Sequence, residues 1–192
     1  MSAPSDPVDP PETCSAEAVL VRTSATDPVA SLRAASLDPT RGRLLAAVAT
    51  APRERLERRL SNAGYSPADS RIVEFERPGG VRQRTVDGED EGRQIQGDLS
   101  GLSMELVGQF DWLAEGEKGV LYLDSLEPLV SAAGLESTFR FLVIVAARAR
   151  SSGVTLVARL EPGSLDPVPA GTLTEAFDRT VDRYSVDEEG TG

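Results

Sequence analysis

An α/β fold with a mostly parallel central sheet of about five to six strands and helices on both faces is the class this sequence predicts. Three observations lead there. Short apolar runs of strand length alternate with segments whose apolar residues recur at helical spacing. The runs are continuously apolar (RLLAAVAT, GVLYLD, VTLVA) and do not alternate with polar residues, which is the pattern of strands covered on both faces. The 192 residues, 40% of them hydrophobic, suffice for one domain with a sizeable core plus tails, and no internal repeat breaks the chain into smaller units.

The first half of the chain divides as a tail, three strands and two helices. Residues 1–15 are Pro, Ser and acidic residues, a disordered tail by composition. Residues 16–22 (AEAVLVR) read as a buried strand, and Asp27-Pro28 opens a short helix through Ala35, with Asp27 as N-cap and Pro28 at the first helical position. Residues 43–50 form a second buried strand. Residues 52–63 (PRERLERRLSNA) form a helix with Leu56 and Leu60 four apart and Gly64 as its stop. Residues 70–76 (SRIVEFE) are the third strand. Residues 77–97 are polar and Gly-rich, about 20 residues with no apolar period, and are expected to be a flexible insertion loop.

In the second half, residues 99–114 are helical, with Leu102, Leu106, Phe110 and Leu113 at spacings of three to four. Residues 120–124 are the fourth strand. A long helix runs from Leu135 or Glu136 to Arg150, and residues 154–158 are the fifth strand. Residues 172–177 are expected to be a short helix and 178–184 a last strand at an edge. The domain therefore spans 16–184, followed by an acidic tail over 185–192.

Composition narrows the function classes. No apolar run reaches the ~18–20 residues that span a membrane, and the N-terminus has neither a basic nor an apolar region of a secretory signal. A cytoplasmic protein with no membrane partner is expected. The net charge of −11 disfavours nucleic acid, whose affinity comes largely from neutralised phosphates. Of the 20 basic residues only Lys118 is a lysine, an Arg-rich, acid-rich balance expected of a halophile and also of a GC-rich genome. Without histidine there is no Ser-His-Asp triad, Cys-His dyad or His-based metal site. The single cysteine, Cys14, can form neither an internal disulfide nor a thiolate zinc site.

The residues closest to chemistry are in LYLDSL. An apolar strand ending in Asp124 places a carboxylate in the crevice where open α/β sheets bind ligands. In P-loop NTPases such an Asp holds Mg²⁺. The alternative is structural: Asp124 caps a turn, and Ser125 is N-cap for residues 126–130. Among other carboxylates, Glu74 and Glu76 share a strand face. Asp87, Glu89, Asp90 and Glu91 form an acidic loop without EF-hand spacing, read as solvated. Trp112 and Phe110 are expected to pack as core or interface anchors. Arg53, Arg55, Arg58 and Arg59 crowd one short helix.

The succession GDLSGLSMELVGQFDWLAEGEKGVLYLDSLEPLV, then TFRFLVIVAARARSSGVT and a strand followed by LEPGSLD, resembles the second half of the KaiC-like, RecA-superfamily domains of haloarchaea. RLLAAVATAPRERLERRLSNAGYSPADSRIVEF is also similar to that family. The resemblance spans roughly residues 17–184 and implies a RecA/KaiC-like P-loop fold, with Asp124 and Ser125 as a Walker B-like remnant for nucleotide and Mg²⁺. The chain departs from the family at the phosphate loop. The stretch after the first strand is TSATDPV, with no glycine to let backbone N–H groups wrap phosphates and no lysine. Asp27 puts a negative charge there instead; at 4 Å, two unit charges repel by about 4 kcal/mol at an effective dielectric of about 20. The second strand ends in Ala49-Thr50-Ala51, where active members carry a catalytic glutamate.

These departures lead to the expectation of a catalytically inactive domain with no cofactor, acting as a binding, scaffold or regulatory module in signalling or gene regulation. Its Arg53, Arg55, Arg58 and Arg59 face is the partner candidate. The partner expected is a protein, an intact P-loop relative or a second copy. The alternative is an atypical nucleotide-binding protein or weak NTPase that takes Mg²⁺ and ATP at Asp124.

Overall fold

Among the described residues, seven strands form a single sheet, and six of them are parallel. The computed structural model describes residues 16–37, 42–48, 53–76, 80–82, 99–116 and 118–183. The strands are β1 (Ala18–Thr23), β2 (Arg43–Val48), β3 (Ser70–Glu76), β4 (Gly80–Arg82), β5 (Gly119–Leu123), β6 (Val154–Leu160) and β7 (Arg179–Arg183). Between them run helices α1 (Pro28–Ala34), α2 (Arg53–Asn62), α3 (Leu99–Gly108), α4 (Phe110–Ala114), α5 (Glu127–Ala133), α6 (Leu135–Ser151) and α7 (Pro167–Thr174). The spatial order is β4-β3-β2-β5-β6-β1-β7, with only β4 antiparallel. The α/β class with helices on both faces is as the sequence predicts, and the architecture is consistent with a RecA-like fold.

The continuous apolar runs divide by the strand's period of two. Ala18, Leu20, Leu45, Leu121, Leu156 and Ala158 face one core with α3, α4, α5, α6 and α7. Val19, Val21, Leu44, Ala46, Tyr122 and Val157 face the other with α1 and α2. β1, β2, β5 and β6 are thus buried on both sides, and alternation is lost in them because neither face meets water. The thicker core is built around α6, whose Phe141, Leu142, Val145, Ala146 and Ala149 recur at three-to-four spacing on its inner side.

Local chemistry explains where several elements begin and end. Asp27 caps α1, its Oδ1 accepting from Val29 N at 3.2 Å, with Pro28 at the first helical position as expected. Gly64, with φ +95°, ends the turn after α2. The expected single helix over 99–114 is instead two: Gln109 N donates to Leu106 O, a tight turn that separates α3 from α4. The helix expected over 172–177 is present but shifted, sharing only residues 172–174 with the expected span. The helix starts earlier, at Pro167, whose fixed φ is suited to a first turn, and Ala176 and Phe177 lie in tight turns beyond its end. A helix, α5, overlaps the 126–130 segment of the structural alternative and runs on to Ala133, and Gly134 at φ +81° breaks it from α6.

The span read as a flexible loop, 77–97, contains β4, which pairs with Glu74–Glu76 of β3; the rest of it, with Asp87, Glu89, Asp90 and Glu91, lies outside the described residues. So do both tails, Cys14, the end of the second expected strand at 49–51 and the Glu76 side chain.

β7 lies at the sheet edge, as expected, and is anchored by charge. The Asp178 carboxylate accepts from Ala18 N at 2.8 Å and from two nitrogens of Arg150 at 2.8 and 2.9 Å. The Arg150 hydrogen bonds hold its pKa below the ordinary aspartate value, with the Ala18 N–H adding to the effect. Trp112 packs at the rim of the α6-side core between two guanidiniums, Arg71 at 4.1 Å and Arg43 at 5.2 Å from its ring centre. Arg71 also hydrogen-bonds the Gln109 side chain.

At the amino end of β2, Gly42 has φ +129° and lies against the Lys118 carbonyl, so a Cβ there would stand 1.8 Å from that oxygen. Gly42→Ala is therefore expected to cost upwards of about 3 kcal/mol. Gly163→Ala, at φ +79° with nothing within 4 Å of the added methyl, should lose about 1 kcal/mol. Urea denaturation of the two variants side by side checks the contrast.

Candidate functional site

Parallel strands place their ligand-binding crevice by topology. From β1 the chain leaves to α1 on one face of the sheet, whereas from its neighbour β6 it leaves to α7 on the other. The carboxyl ends of β1 and β6 therefore diverge, and such a switch point is where open α/β sheets bind ligands. Asp124, one residue beyond β5, lies beside it, 4% exposed, with Ser125 also buried. The Asp124 amide donates to Ala47 O at 2.9 Å, which fixes the turn to the end of β2. Ser125 is not a helix cap: the N-cap position of α5 is Leu126, and it makes no side-chain capping bond.

The residue that organises the crevice is Arg159. It is 3% exposed, on the α1 side of β6 by alternation with Val157. Its Nε donates to the Asp124 carbonyl at 2.7 Å, and its Nη1 reaches the Thr23 carbonyl at the end of β1 at 3.5 Å. The Arg159 carbonyl in turn accepts from Leu126 N at 3.1 Å. One residue thus ties the carboxyl ends of β1, β5 and β6. A buried charge is tolerated only where polar groups surround it, and here those groups are the chain's own.

Tyr122 and Ser31 complete the cluster on the same side. Burial pushes the Tyr122 hydroxyl well above its ordinary pKa, and the nearby Asp124 charge adds to this; the Ser31 hydroxyl, Arg159 and, with opposite sign, Asp27 also act on it. Ser31 is close enough to be felt, yet the contact falls short of hydrogen-bond geometry, and both hydroxyls are buried with no hydrogen-bond partner among the described residues.

Phosphate recognition at such a crevice needs free N–H donors at the helix after the first strand. In α1 the first helical residue is Pro28, which has no N–H, and the Val29 N–H is taken by the Asp27 carboxylate. With Arg159 directed into main-chain carbonyls, the residues present do not fit a magnesium triphosphate. Among the described residues, no group of three or more His, Cys, Asp or Glu side chains is placed to hold a metal ion.

The four arginines of α2 separate into two kinds. Arg53 Nε pairs with Glu57 at 2.6 Å, one helical turn on, and Arg59 Nη1 donates to Thr26 O at 3.1 Å, joining α2 to the turn after β1. Arg55 and Arg58 are exposed, with no ion-pair partner among the described residues. Sequence reasoning missed Arg159, Tyr122 and Ser31. The available signal was an arginine inside the apolar run VTLVARL, where a charge is costly unless it has partners.

Two measurements test the roles of Arg159 and Tyr122. Arg159→Ala strands the Asp124 and Thr23 carbonyls, and should cost about 3–5 kcal/mol in urea denaturation, with Arg159→Lys restoring only part because it lacks the guanidinium fork. For Tyr122 the folded pKa lies above the unfolded one, so its contribution is complete below its ordinary value of 10.0 and is lost as pH rises past it. Tyr122→Phe should be as stable as the parent at neutral pH, since its hydroxyl has no partner, and should lose less stability in denaturation measured above pH 10.0.

No curated protein matches the chain. The profile of a family of unknown function, DUF7504, matches residues 16–182, from just ahead of β1 into β7, and so takes in the crevice and α2 alike. The chain belongs to that family.

Proposed function

We propose that this protein is a catalytically inactive RecA/KaiC-like domain that works as a protein-binding, scaffold or regulatory module, in signalling or gene regulation of a halophilic archaeon. The observation that carries the reading is the self-satisfied crevice. Its cation, Arg159, is directed to the carbonyls of Asp124 and Thr23. Its helix terminus is closed by Asp27 and Pro28. Catalysis of phosphoryl transfer rests almost entirely on positioning and electrostatic stabilisation of phosphates. A crevice whose donors are already engaged offers little of either. A binding role then falls to exposed surface, and the exposed arginines of α2 fit such a role better than direct contact with nucleic acid, which the net charge of −11 opposes. No described helix is long and apolar enough to cross a membrane.

The second reading, an atypical Mg²⁺-dependent nucleotide-binding protein, is favoured by the position of Asp124 at the carboxyl end of β5. A thermal-shift titration with MgATP, MgADP and Mg²⁺ alone separates the two. A ligand at 100 times its dissociation constant adds about 2.7 kcal/mol of stability. The expected outcome is the same melting temperature in all conditions. A shift specific to MgATP, abolished in Asp124→Asn, would establish the second reading in place of the first.

A further inference from the structure

The core-facing side of α6 accounts for only part of its apolar residues. Residues 141–147 (FLVIVAA) are all apolar over about two turns, so this stretch is hydrophobic all round. Phe141, Leu142, Val145 and Ala146 point into the core. Val143, Ile144 and Ala147 lie on the solvent side, with Val143 43% and Ile144 51% exposed. A helix that is apolar on every side is ordinarily covered on every side. The neighbouring helices share this character. α3 and α7 each pack against α6 on the same face of the sheet. The large apolar side chains exposed among the described residues, Met104, Val143, Ile144 and Val168, all belong to these three helices, and the opposite face with α1 and α2 has none of them.

We propose that the outer side of α6 is a homodimer interface, in which α6 of one copy packs antiparallel on α6 of a second copy about a two-fold axis. The inference goes beyond the functional reading above and does not depend on it, because the face is the same whether or not the crevice takes nucleotide. Charge argues for a second copy. Two chains of net −11 repel each other, so contact between them needs a surface poor in acids. α6 holds one acid, Glu136, in 17 residues. Glu136, Arg140, Ile144 and Arg148 are spaced by four and form one ridge of the outer side, with the acid at its amino end and a base at its carboxyl end. An isologous interface must be complementary to itself. This ridge is so when turned antiparallel, since Glu136 of each copy then stands opposite Arg148 of the other. The midpoint of that register is Leu142, which brings Val143 and Ile144 of both copies together beside the axis. Arg148 has no ion-pair partner among the described residues. Glu136 pairs with Arg140 at 2.7 Å, one turn on, but both side chains are largely exposed and such a pair contributes little. Its carboxylate can hold that Arg140 and the second copy's Arg148 at once.

Sedimentation equilibrium of the full chain tests this, with Ile144→Arg, Glu136→Arg, Arg148→Glu and the double reversal Glu136→Arg with Arg148→Glu run beside the parent. The three positions are exposed, so the variants should keep the parent fold, which circular dichroism and urea denaturation verify. Expected are a dimer for the parent and dimerisation weaker by tenfold or more in Ile144→Arg and in each single charge reversal. The double reversal should recover the dimer, as an antiparallel pairing of position 136 with position 148 requires. Three results would each overturn the proposal: a monomeric parent, a dimer unchanged by Ile144→Arg, or a double reversal that associates no better than the single ones. A monomer that Ile144→Arg destabilises would assign the face to another segment of the same chain and overturn it as well. Nucleotide binding in the thermal-shift experiment would defeat the reading of an inactive crevice without touching the dimer, and a monomeric parent would do the reverse.

Discussion

The Arg159 guanidinium is the constraint on which the rest of this structure turns. In a parallel sheet the strand ends present carbonyls that no neighbouring strand satisfies, and a switch point opens a gap among them. Here one side chain on β6 fills that gap, bonding to Asp124 O and reaching Thr23 O, while its own carbonyl holds Leu126 N. The turn that carries Asp124 is therefore fixed from both sides by a single residue. Without it the Asp124 and Thr23 carbonyls would lose the donor that reaches them in a buried crevice, and unpaired buried carbonyls are costly.

The turn after β1 is bound into the same arrangement. Asp27 closes the amino terminus of α1, and Pro28 removes the next donor. Arg59 reaches across from α2 to Thr26 O in that turn. The segment where a phosphate loop would need freedom to wrap a ligand is thus held by its own cap on one side and by the neighbouring helix on the other. These contacts also divide the arginines of α2: one stabilises the turn, one pairs within the helix, and two remain for solvent or a partner. An arginine-rich helix is not a uniform charged face, and only the geometry of its neighbours tells which charges are available.

Much of the fold was legible because its signals are local. Strands buried on both faces read as continuous apolar runs, and the Asp27-Pro28 pair announces a helix start by capping chemistry alone. Asp124, which closes the apolar run in LYLDSL, follows from the rule that open α/β sheets bind ligands at the carboxyl ends of their strands. What escaped needed information from elsewhere in the chain. Arg159 lay just past the expected end of the fifth strand, because an arginine reads as a strand terminator unless its partners at Thr23 and Asp124 are known. The break at Gln109 leaves the three-to-four apolar spacing across it intact, so periodicity could not reveal it. β4 has three described residues, and a strand so short is created by pairing with β3 and not by its own propensity. The groove between α2 and β3, floored by Leu60, Tyr65 and Ile72, is less legible still, because no single stretch of sequence carries its shape.

Buried and exposed arginines in this protein answer to different physics, and that difference separates the two regions. Salt screens exposed charges over about 10 Å at 0.1 M and over about 3 Å at 1 M, while a buried pair is screened far less. The Arg159 cluster should therefore persist at any ionic strength, and the crevice remains closed by its own groups. The attraction that the exposed Arg55 and Arg58 exert on a negative group weakens with salt, whereas apolar burial such as that of Leu60 and Ile72 does not depend on charge. Exposed arginines therefore keep their selectivity at short range, where like charges directly opposed still cost free energy even in concentrated electrolyte.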